Sequence, residues 1–161
     1  AVKIDEKPFL KGIALDKKAI KDFSVELIKK FDVRPTDPSI MTKALSGGNA
    51  QKVVVAREVD RDGKLLIASQ PTRGVDIGAV ESIRKILNEE KSKGKAILLV
   101  SADLEEVLSL SDRIIVMYEG KITGVLNTED ANEDNIGLLM MGGVTKSAEM
   151  GGDHYYDKIS E

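Results

Sequence analysis

The chain has 161 residues, of which 42% are hydrophobic and 32% are charged, and its formal net charge is -3. Those values are typical of a globular protein with room for one ordinary domain. A slightly acidic chain lacks the basic stripe of a dedicated nucleic-acid binder, and the absence of cysteine excludes disulfides and thiolate metal sites. No apolar run approaches the roughly 18 residues of a membrane-spanning helix. The opening residues have no signal-peptide core, so we expect any membrane connection to run through a partner.

The first part of the chain is predicted to be largely helical. Asp16 is a suitable N-cap for a helix that reaches residue 33. The apolar positions of this helix recur three and four residues apart: Ile20, Phe23, Leu27, Ile28 and Phe31. Pro35 and Pro38 then enforce an irregular link. A second amphipathic helix is predicted over residues 44–59, and its apolar stripe is Val54, Val55 and Val59.

Three short apolar runs follow, at residues 65–69, 97–101 and 114–118. Continuous runs of this kind are typical of strands that are buried on both faces of a parallel sheet. A helix is predicted between the first two runs, with Asp76 as its N-cap and Gly94 as its stop. The alternation of strands and helices predicts an α/β fold.

The last third of the chain carries three further local signals. The segment DLEEVLSL predicts a short helix with acids in its first turn, where the helix dipole favours them. A tight turn at residues 118–121 predicts an antiparallel hairpin at the edge of the sheet. A last helix is predicted over residues 129–141, and the tail at 147–161 is expected to be mobile.

The second helix begins on two glycines, Gly47 and Gly48, although glycine costs about 1 kcal/mol relative to alanine inside a helix. A helix N-terminus presents unpaired N–H groups to anions, and glycines let a phosphate approach the backbone closely. Ser46 adds a hydroxyl at the cap. These two glycines alone are also compatible with a simple connection between loop and helix. Two interpretations therefore stay open, a phosphate-binding site and a loop-to-helix connection.

Three longer strings carry a family resemblance, and they lie in that family's order. LSGGNAQ at residues 45–51 resembles the signature motif of ATP-binding-cassette (ABC) ATPases. LLIASQPTRGVD resembles the Walker B strand and the D-loop, and VSADLEEVLSLSDRIIVMYEGKITG resembles the switch region and closing hairpin. The resemblance runs from about residue 10 to 145. The GGN variant, the TRGVD loop and the ending GLLMMGG are most similar to the second cassette of double-cassette importers for simple sugars and nucleosides.

The resemblance implies a partial P-loop NTPase fold with a mostly parallel sheet, flanking helices, an N-terminal helical subdomain and a C-terminal β-hairpin. It divides the chain into part of the signature subdomain (1–50), half of a RecA-like core (51–128), a C-terminal helix (129–146) and the tail (147–161). It also implies ATP with Mg²⁺ as the cofactor of the full assembly. The signature residues would then contact the γ-phosphate of an ATP held by the opposing cassette: Ser46, Gly47, Gly48, Asn49 and Gln51. Asp76 would be the D-loop aspartate.

The sequence departs from the family pattern in three places. It contains no G-x-x-x-x-G-K-[ST] loop, so it resembles the C-terminal half of a cassette. The acidic pair of Walker B is replaced by Ser69 and Gln70, which hold Mg²⁺ poorly and cannot act as a carboxylate base. The switch histidine is replaced by Ala102. Each change singly has a structural explanation, but together they predict a degenerate hydrolytic site. We therefore expect this chain alone neither to hydrolyse ATP nor to bind it tightly.

The resemblance favours an importer component at the cytoplasmic face of the cell membrane. Its expected partners are an N-terminal cassette of the same parent chain and transmembrane permease subunits, with no nucleic acid. The alternative is a nucleotide-independent structural or regulatory module that holds the transporter together. A third possibility is the head of a DNA-repair or chromosome-organising ATPase, which the GGN signature and the absence of long heptads disfavour.

In the family's sheet, the strand before the phosphate loop lies between the strands matched here by residues 97–101 and 114–118. Without it, both apolar strands have an unpaired edge, and such edges invite pairing with another chain. We therefore predict that the two strands close up directly or that the fragment self-associates.

Overall fold

A computed structural model of the chain describes residues 9–11, 14–61 and 63–143. In chain order its elements are β1 (Leu10–Lys11), β2 (Ala14–Leu15), α1 (Lys17–Lys30), α2 (Gly47–Val59), β3 (Leu65–Ser69), α3 (Ile77–Ser92), β4 (Ala96–Val100), α4 (Leu104–Leu110), β5 (Arg113–Tyr118), β6 (Lys121–Asn127) and α5 (Glu133–Met140). The contacts divide the chain between Val100 and Ser101 into two compact units. The domain boundaries expected from the sequence stay a prediction, and the tail expected to be mobile lies outside the described residues.

Helix α1 begins where the sequence predicts. The Asp16 side chain accepts hydrogen bonds from the backbone N–H groups of Lys18 (3.0 Å) and Ala19 (3.1 Å), as an N-cap does. The apolar face of α1 is half-buried, whereas Phe31 and Val33, just beyond its end, are each only 3% exposed. The core of this region therefore centres on the start of the proline-containing link.

Helix α2 has a buried face that differs from the predicted stripe. Its buried residues are Gly48, Lys52, Val55, Ala56 and Val59, which recur at helical spacing. The prediction for Val54 is wrong, because this side chain is 42% exposed. Lys52 takes the inward position instead, and its Nζ donates to the Asp32 carbonyl oxygen at 3.0 Å. A buried ammonium is tolerated here because it has that partner.

Strands β3 and β4 pair in parallel, with Leu66 opposite Ile97 and Ala68 opposite Leu99. β3 has the predicted bounds, whereas β4 begins and ends one residue before the predicted run at 97–101. The expectation that both faces are buried is wrong. The outward residues of this sheet are about half exposed: Leu65, Ile67, Leu98 and Val100. Helix α3 contacts β4, and the alternating burial indicates that only one face of the sheet is packed in the described part of the chain.

Helix α3 confirms its predicted caps. Asp76 Oδ1 accepts from the N–H of Ala79 at 3.0 Å, and Gly94 adopts a φ of +85° beyond the C-terminus. The Gly94 N–H donates to the Lys91 carbonyl at 2.9 Å, which terminates the helix in the usual left-handed manner. Its buried residues are Ala79, Ile83, Leu87 and Glu90.

The second unit contains the predicted hairpin. β5 pairs antiparallel with β6, and the turn residues Glu119 and Gly120 both have positive φ, at 46° and 77°, as a two-residue hairpin requires. β5 is therefore not a strand of a parallel pair among the described residues, and Ile115 and Met117 lie on its exposed face. The core of this unit consists of Ile114, Val116, Leu126, Ile136 and Leu139.

Helix α5 is shorter than the predicted 129–141. Residues Thr128–Asp130 form a 3-10 turn instead. The Asn132 side chain accepts from the N–H of Asn135 at 2.8 Å and so caps a helix that begins at Glu133, four residues later than predicted. None of the helices in the described ranges is long and apolar enough to cross a membrane.

Candidate functional site

The N-terminus of α2 is open toward solvent. Ser46 is its N-cap, with φ of -63° and ψ of 157°, and the Ser46 hydroxyl oxygen lies 3.4 Å from the N–H of Asn49. The N–H groups of Gly47 and Gly48 donate no hydrogen bond to any described residue. Unpaired amides at a helix start, next to a hydroxyl, form a favourable seat for a phosphate oxygen.

Different surroundings constrain the two glycines. A Cβ on Gly48 would lie 2.8 Å from both the Ala79 Cβ and the Asp76 Oδ2, so Gly48 is required for the close packing of α2 on α3. A Cβ on Gly47 would meet only the Gly74 carbonyl oxygen, at an ordinary 3.7 Å. The packing of the chain therefore explains one glycine and leaves the other unexplained.

Asn49 links the cap of α2 to the end of α1. Its Nδ2 donates to the Ser46 Oγ at 2.9 Å, and its Oδ1 accepts from the Arg34 N–H at 2.7 Å. The Arg34 Nε donates to the Asp32 Oδ1 at 3.1 Å, and this hydrogen bond lowers the pKa of the Asp32 carboxyl. Lys29 and Arg34 both line the open depression beside Ser46. These two cations are not among the residues predicted from the sequence, because only the fold brings the end of α1 next to the start of α2.

Gln51 and Asp76 organise the loop between β3 and α3. The Gln51 Nε2 donates to the Pro71 carbonyl at 2.8 Å, so its amide already has a partner within the chain. Asp76 caps α3 and packs beside Gly48. The fold thus brings Gly48 and Gln51, which were predicted as signature residues, close to Asp76, which was predicted as the D-loop aspartate.

The positions that would hold a metal carry neutral side chains. Ser69 ends β3 opposite Val100, and the Gln70 N–H continues the pairing by donating to the Val100 carbonyl at 2.7 Å. Gln70 has a positive φ of 49°, and its carbonyl accepts from the Arg73 N–H at 3.2 Å, which turns the chain into the loop. No group of three or more His, Cys, Asp or Glu side chains within the described ranges could hold a metal ion. Ser69 and Gln70 therefore do not fit Mg²⁺, which prefers carboxylates.

Ala102 lies in the second unit, ahead of α4. It is exposed between Ser101 and Asp103, and the Asp103 N–H donates to the Ser101 Oγ at 3.0 Å. Asp103 in turn caps α4 by accepting from the Glu106 N–H at 3.0 Å. The Ala102 methyl group offers no hydrogen bond to a ligand.

The burial of Glu106, in the first turn of α4, was not predicted from the sequence. The sequence predicts an acid in the first turn of α4, where the helix dipole stabilises a negative charge. The Glu106 side chain is instead fully buried, at 0% exposure. Neither of its carboxylate oxygens has a hydrogen-bond partner among the described residues. No pattern in the sequence signals this burial, since acids at helix starts are ordinarily solvated.

Solved structures share this fold. The dimeric structure of MJ0796, a bacterial ABC transporter cassette, matches with a TM-score of 0.63 at 23% identity, over 74% of this chain and 51% of that one. A further MJ0796 dimer with the same TM-score is a post-hydrolysis state bound to ADP and phosphate. At this identity the likeness shows the fold, which is that of an ABC cassette.

Sequence relatives decide the family. The guanosine import ATP-binding protein NupO of Bacillus subtilis is 50% identical over 122 residues, which are 76% of this chain and 24% of that protein. The ribose import ATP-binding protein RbsA of Lacticaseibacillus paracasei is 44% identical over 140 residues, 87% of this chain and 28% of that protein. The chain is a partial ATP-binding-cassette domain.

The cassette is related to import ATP-binding proteins for nucleosides and sugars, and its predicted fold class is confirmed. It spans about a quarter of the length of the curated relatives it matches. No family model matches it. Among its described strands only β3 and β4 are parallel neighbours, so the mostly parallel sheet of the fold is represented here by a single pair.

Proposed function

We propose that this cassette is part of the ATP-binding subunit of an importer for nucleosides or simple sugars, and that it completes an ATP site held by a partner cassette. Ser46, Gly47 and Gly48 contact the γ-phosphate, with Asn49 and Gln51 supporting them, and Asp76 lies at the cassette interface. The subunit works with Mg²⁺ and ATP in the full assembly. It acts at the cytoplasmic face of the membrane on permease subunits, and no nucleic acid is involved.

Relative lengths support a partner cassette within the same parent chain. About three quarters of this chain matches both the solved cassette and the guanosine import protein. That portion fills 51% of the single cassette but only 24% of the import protein. The import protein is therefore about twice as long as one cassette and has room for two.

Gly47 is the observation that carries the proposal. The packing of the chain tolerates a side chain there, the residue is exposed, and its N–H has no acceptor within the described part of the chain. A glycine lowers helix stability relative to alanine, and at Gly47 no close packing contact explains why glycine is used. A ligand that approaches the backbone from outside supplies the missing reason.

The residues at the cassette's own hydrolytic positions support a role in the partner's ATP site only. Ser69 and Gln70 lack carboxylates, and Ala102 lacks a polar group. Mg²⁺ neutralises charge on the transferred phosphoryl group when it is bound, and these residues offer it no ligand set. We therefore infer that hydrolysis takes place at the partner's residues.

The second candidate function is a nucleotide-independent module that only holds the transporter together. The hydrogen bonds that the Gln51 and Asp76 side chains make within the chain favour this module, because both side chains stabilise the cassette's own fold. It does not account for the exposed Gly47, which no packing contact requires and whose N–H has no acceptor in the described part of the chain.

Reconstitution of the intact transporter in vesicles tests the proposal. Ser46→Arg places bulk at the phosphate seat, and we expect ATP hydrolysis and solute uptake to fall roughly a hundredfold. Gln70→Glu is the matched control, because one carboxylate does not restore a site that lacks its other parts. Normal uptake in Ser46→Arg would favour the structural module instead.

A further inference from the structure

The Asn49 amide has only one compatible orientation. The Arg34 N–H can only donate, so the Asn49 oxygen must face it, at 2.7 Å. The Asn49 Nδ2 must then face the Ser46 Oγ, at 2.9 Å. Flipping the amide would set two donors against each other and leave both without an acceptor.

This orientation determines what the Ser46 hydroxyl can do. Both groups that approach the Ser46 Oγ within the cap are N–H donors, the Asn49 side chain at 2.9 Å and the Asn49 backbone at 3.4 Å. The oxygen therefore accepts, and its own proton remains to be donated elsewhere. A hydroxyl held as a donor is suited to a phosphate oxygen, which only accepts.

The length of the Asn49 side chain matters as well. Asn49 is the third residue of α2, where a glutamine would reach back to the backbone N–H of the cap residue. The shorter asparagine contacts the cap hydroxyl instead and holds the Arg34 backbone at the same time. The Arg34 side chain, which is 76% exposed, consequently lies on the same open depression as Ser46.

We infer that Asn49 is a positioning residue for the trans nucleotide: it holds the Ser46 hydroxyl as a donor toward the γ-phosphate and fixes the loop that carries Arg34. The inference rests on the proposed function, since it concerns the same phosphate seat. Asn49 acts through Ser46 and need not touch the nucleotide itself.

Asn49→Asp in the intact transporter is the test. An aspartate has the same shape and still accepts from the Arg34 N–H, but it has no N–H for Ser46. The hydroxyl then donates to the new carboxylate and is lost to the phosphate. We expect the KM for ATP to rise about tenfold. The thermal unfolding midpoint of the chain should not fall, because an acid in a first helical turn is favourable.

A double-mutant cycle with Ser46→Ala separates this route from simple charge repulsion. If Asn49 acts through Ser46, Asn49→Asp adds little to the KM already raised by Ser46→Ala. An effect of Asn49→Asp that is as large without the Ser46 hydroxyl as with it overturns the inference and leaves the proposed function intact. An unchanged KM in Ser46→Ala alone overturns the proposed function and the inference with it. If Asn49→Asp unfolds early, Asn49→Ala gives the same cycle without adding charge.

Discussion

Gly47 and Gly48 are neighbours in one helical turn, yet only Gly48 is constrained by the chain's own packing. The close approach of α2 to Ala79 and Asp76 leaves no space for a Cβ on Gly48, whereas Gly47 has space. The resemblance to the signature motif assigns both glycines to a phosphate. The structure assigns to Gly48 a packing role as well, which a sequence pattern cannot reveal because Ala79 lies about thirty positions further along the chain.

We expect Gly48→Ala to lower the free energy of unfolding of the chain by about 1–2 kcal/mol, since overpacking outweighs the gain in helix propensity. Gly47→Ala is its matched control and should leave stability unchanged or raise it by up to about 1 kcal/mol. Urea denaturation of the two variants measures the difference. Equal stability of both variants would show that α2 does not pack on α3 as closely as described.

At the scale of elements, a buried ion pair joins the end of α3 to the start of β4. The Glu90 carboxylate, with its side chain 7% exposed, lies 2.8 Å from the Lys95 Nζ and 2.6 Å from the Lys93 Nζ. The Lys95 Nζ also donates to the Val59 carbonyl at the end of α2, at 3.2 Å. Lys95 thereby connects three elements of the first unit.

Lys95→Met should lower the free energy of unfolding by about 1–3 kcal/mol, because it leaves the buried Glu90 with one cation and the Val59 carbonyl without its donor. Lys85→Met, at an exposed position of α3, is the control and should have a smaller effect. Thermal unfolding of the two variants provides the comparison. A Lys95→Met variant as stable as the control would show that the pair contributes nothing.

The same pair predicts a dependence of stability on pH. Burial raises the pKa of Glu90, but the hydrogen bonds from Lys93 and Lys95 outweigh it, so the pKa lies below its usual 4.5. A lowered pKa in the folded state means that the stabilisation is present above pH 4.5 and is lost as the pH falls through the folded value. We expect the free energy of unfolding of Glu90→Gln to fall less steeply than that of the unchanged chain as the pH is lowered. An equally steep fall would exclude Glu90 as a contributor.

The elements themselves were largely predictable, because their signals are local. Asp16 and Asp76 cap their helices with their own side chains, and Glu119 with Gly120 forms the expected turn. Exposure was not predictable, because it depends on what covers a strand. Ile67 belongs to a run typical of a strand buried on both sides, yet it is 62% exposed. The contact of Asn49 with Arg34 joins residues 15 positions apart and has no sequence signature.

At the scale of the whole molecule, the exposed apolar sheet faces predict association. Each described sheet has two strands, so β4 and β5 each have an edge without a described strand partner. Ile67 and Leu98 are register partners on one outward face, 62% and 49% exposed. Apolar faces and strand edges of this kind are typical association sites.

We therefore propose that the chain, studied alone, associates with further copies. Light scattering across a dilution series should give a mass of at least twice the monomer at high concentration and a lower mass on dilution. Ile67→Lys, which places a charge on the outward face, should shift the series toward the monomer. A monomer at every concentration would contradict the proposal.

Above all, we propose that the first turn of α2 completes an ATP site on a partner cassette while the cassette's own site stays idle. Trapping of labelled nucleotide by vanadate in the intact transporter tests it most directly. We expect about one trapped nucleotide per pair of cassettes, and a fall below roughly a tenth of that in Gly47→Ala, the variant whose fold is expected to be unaffected. Two trapped nucleotides per pair, or undiminished trapping in Gly47→Ala, would contradict it.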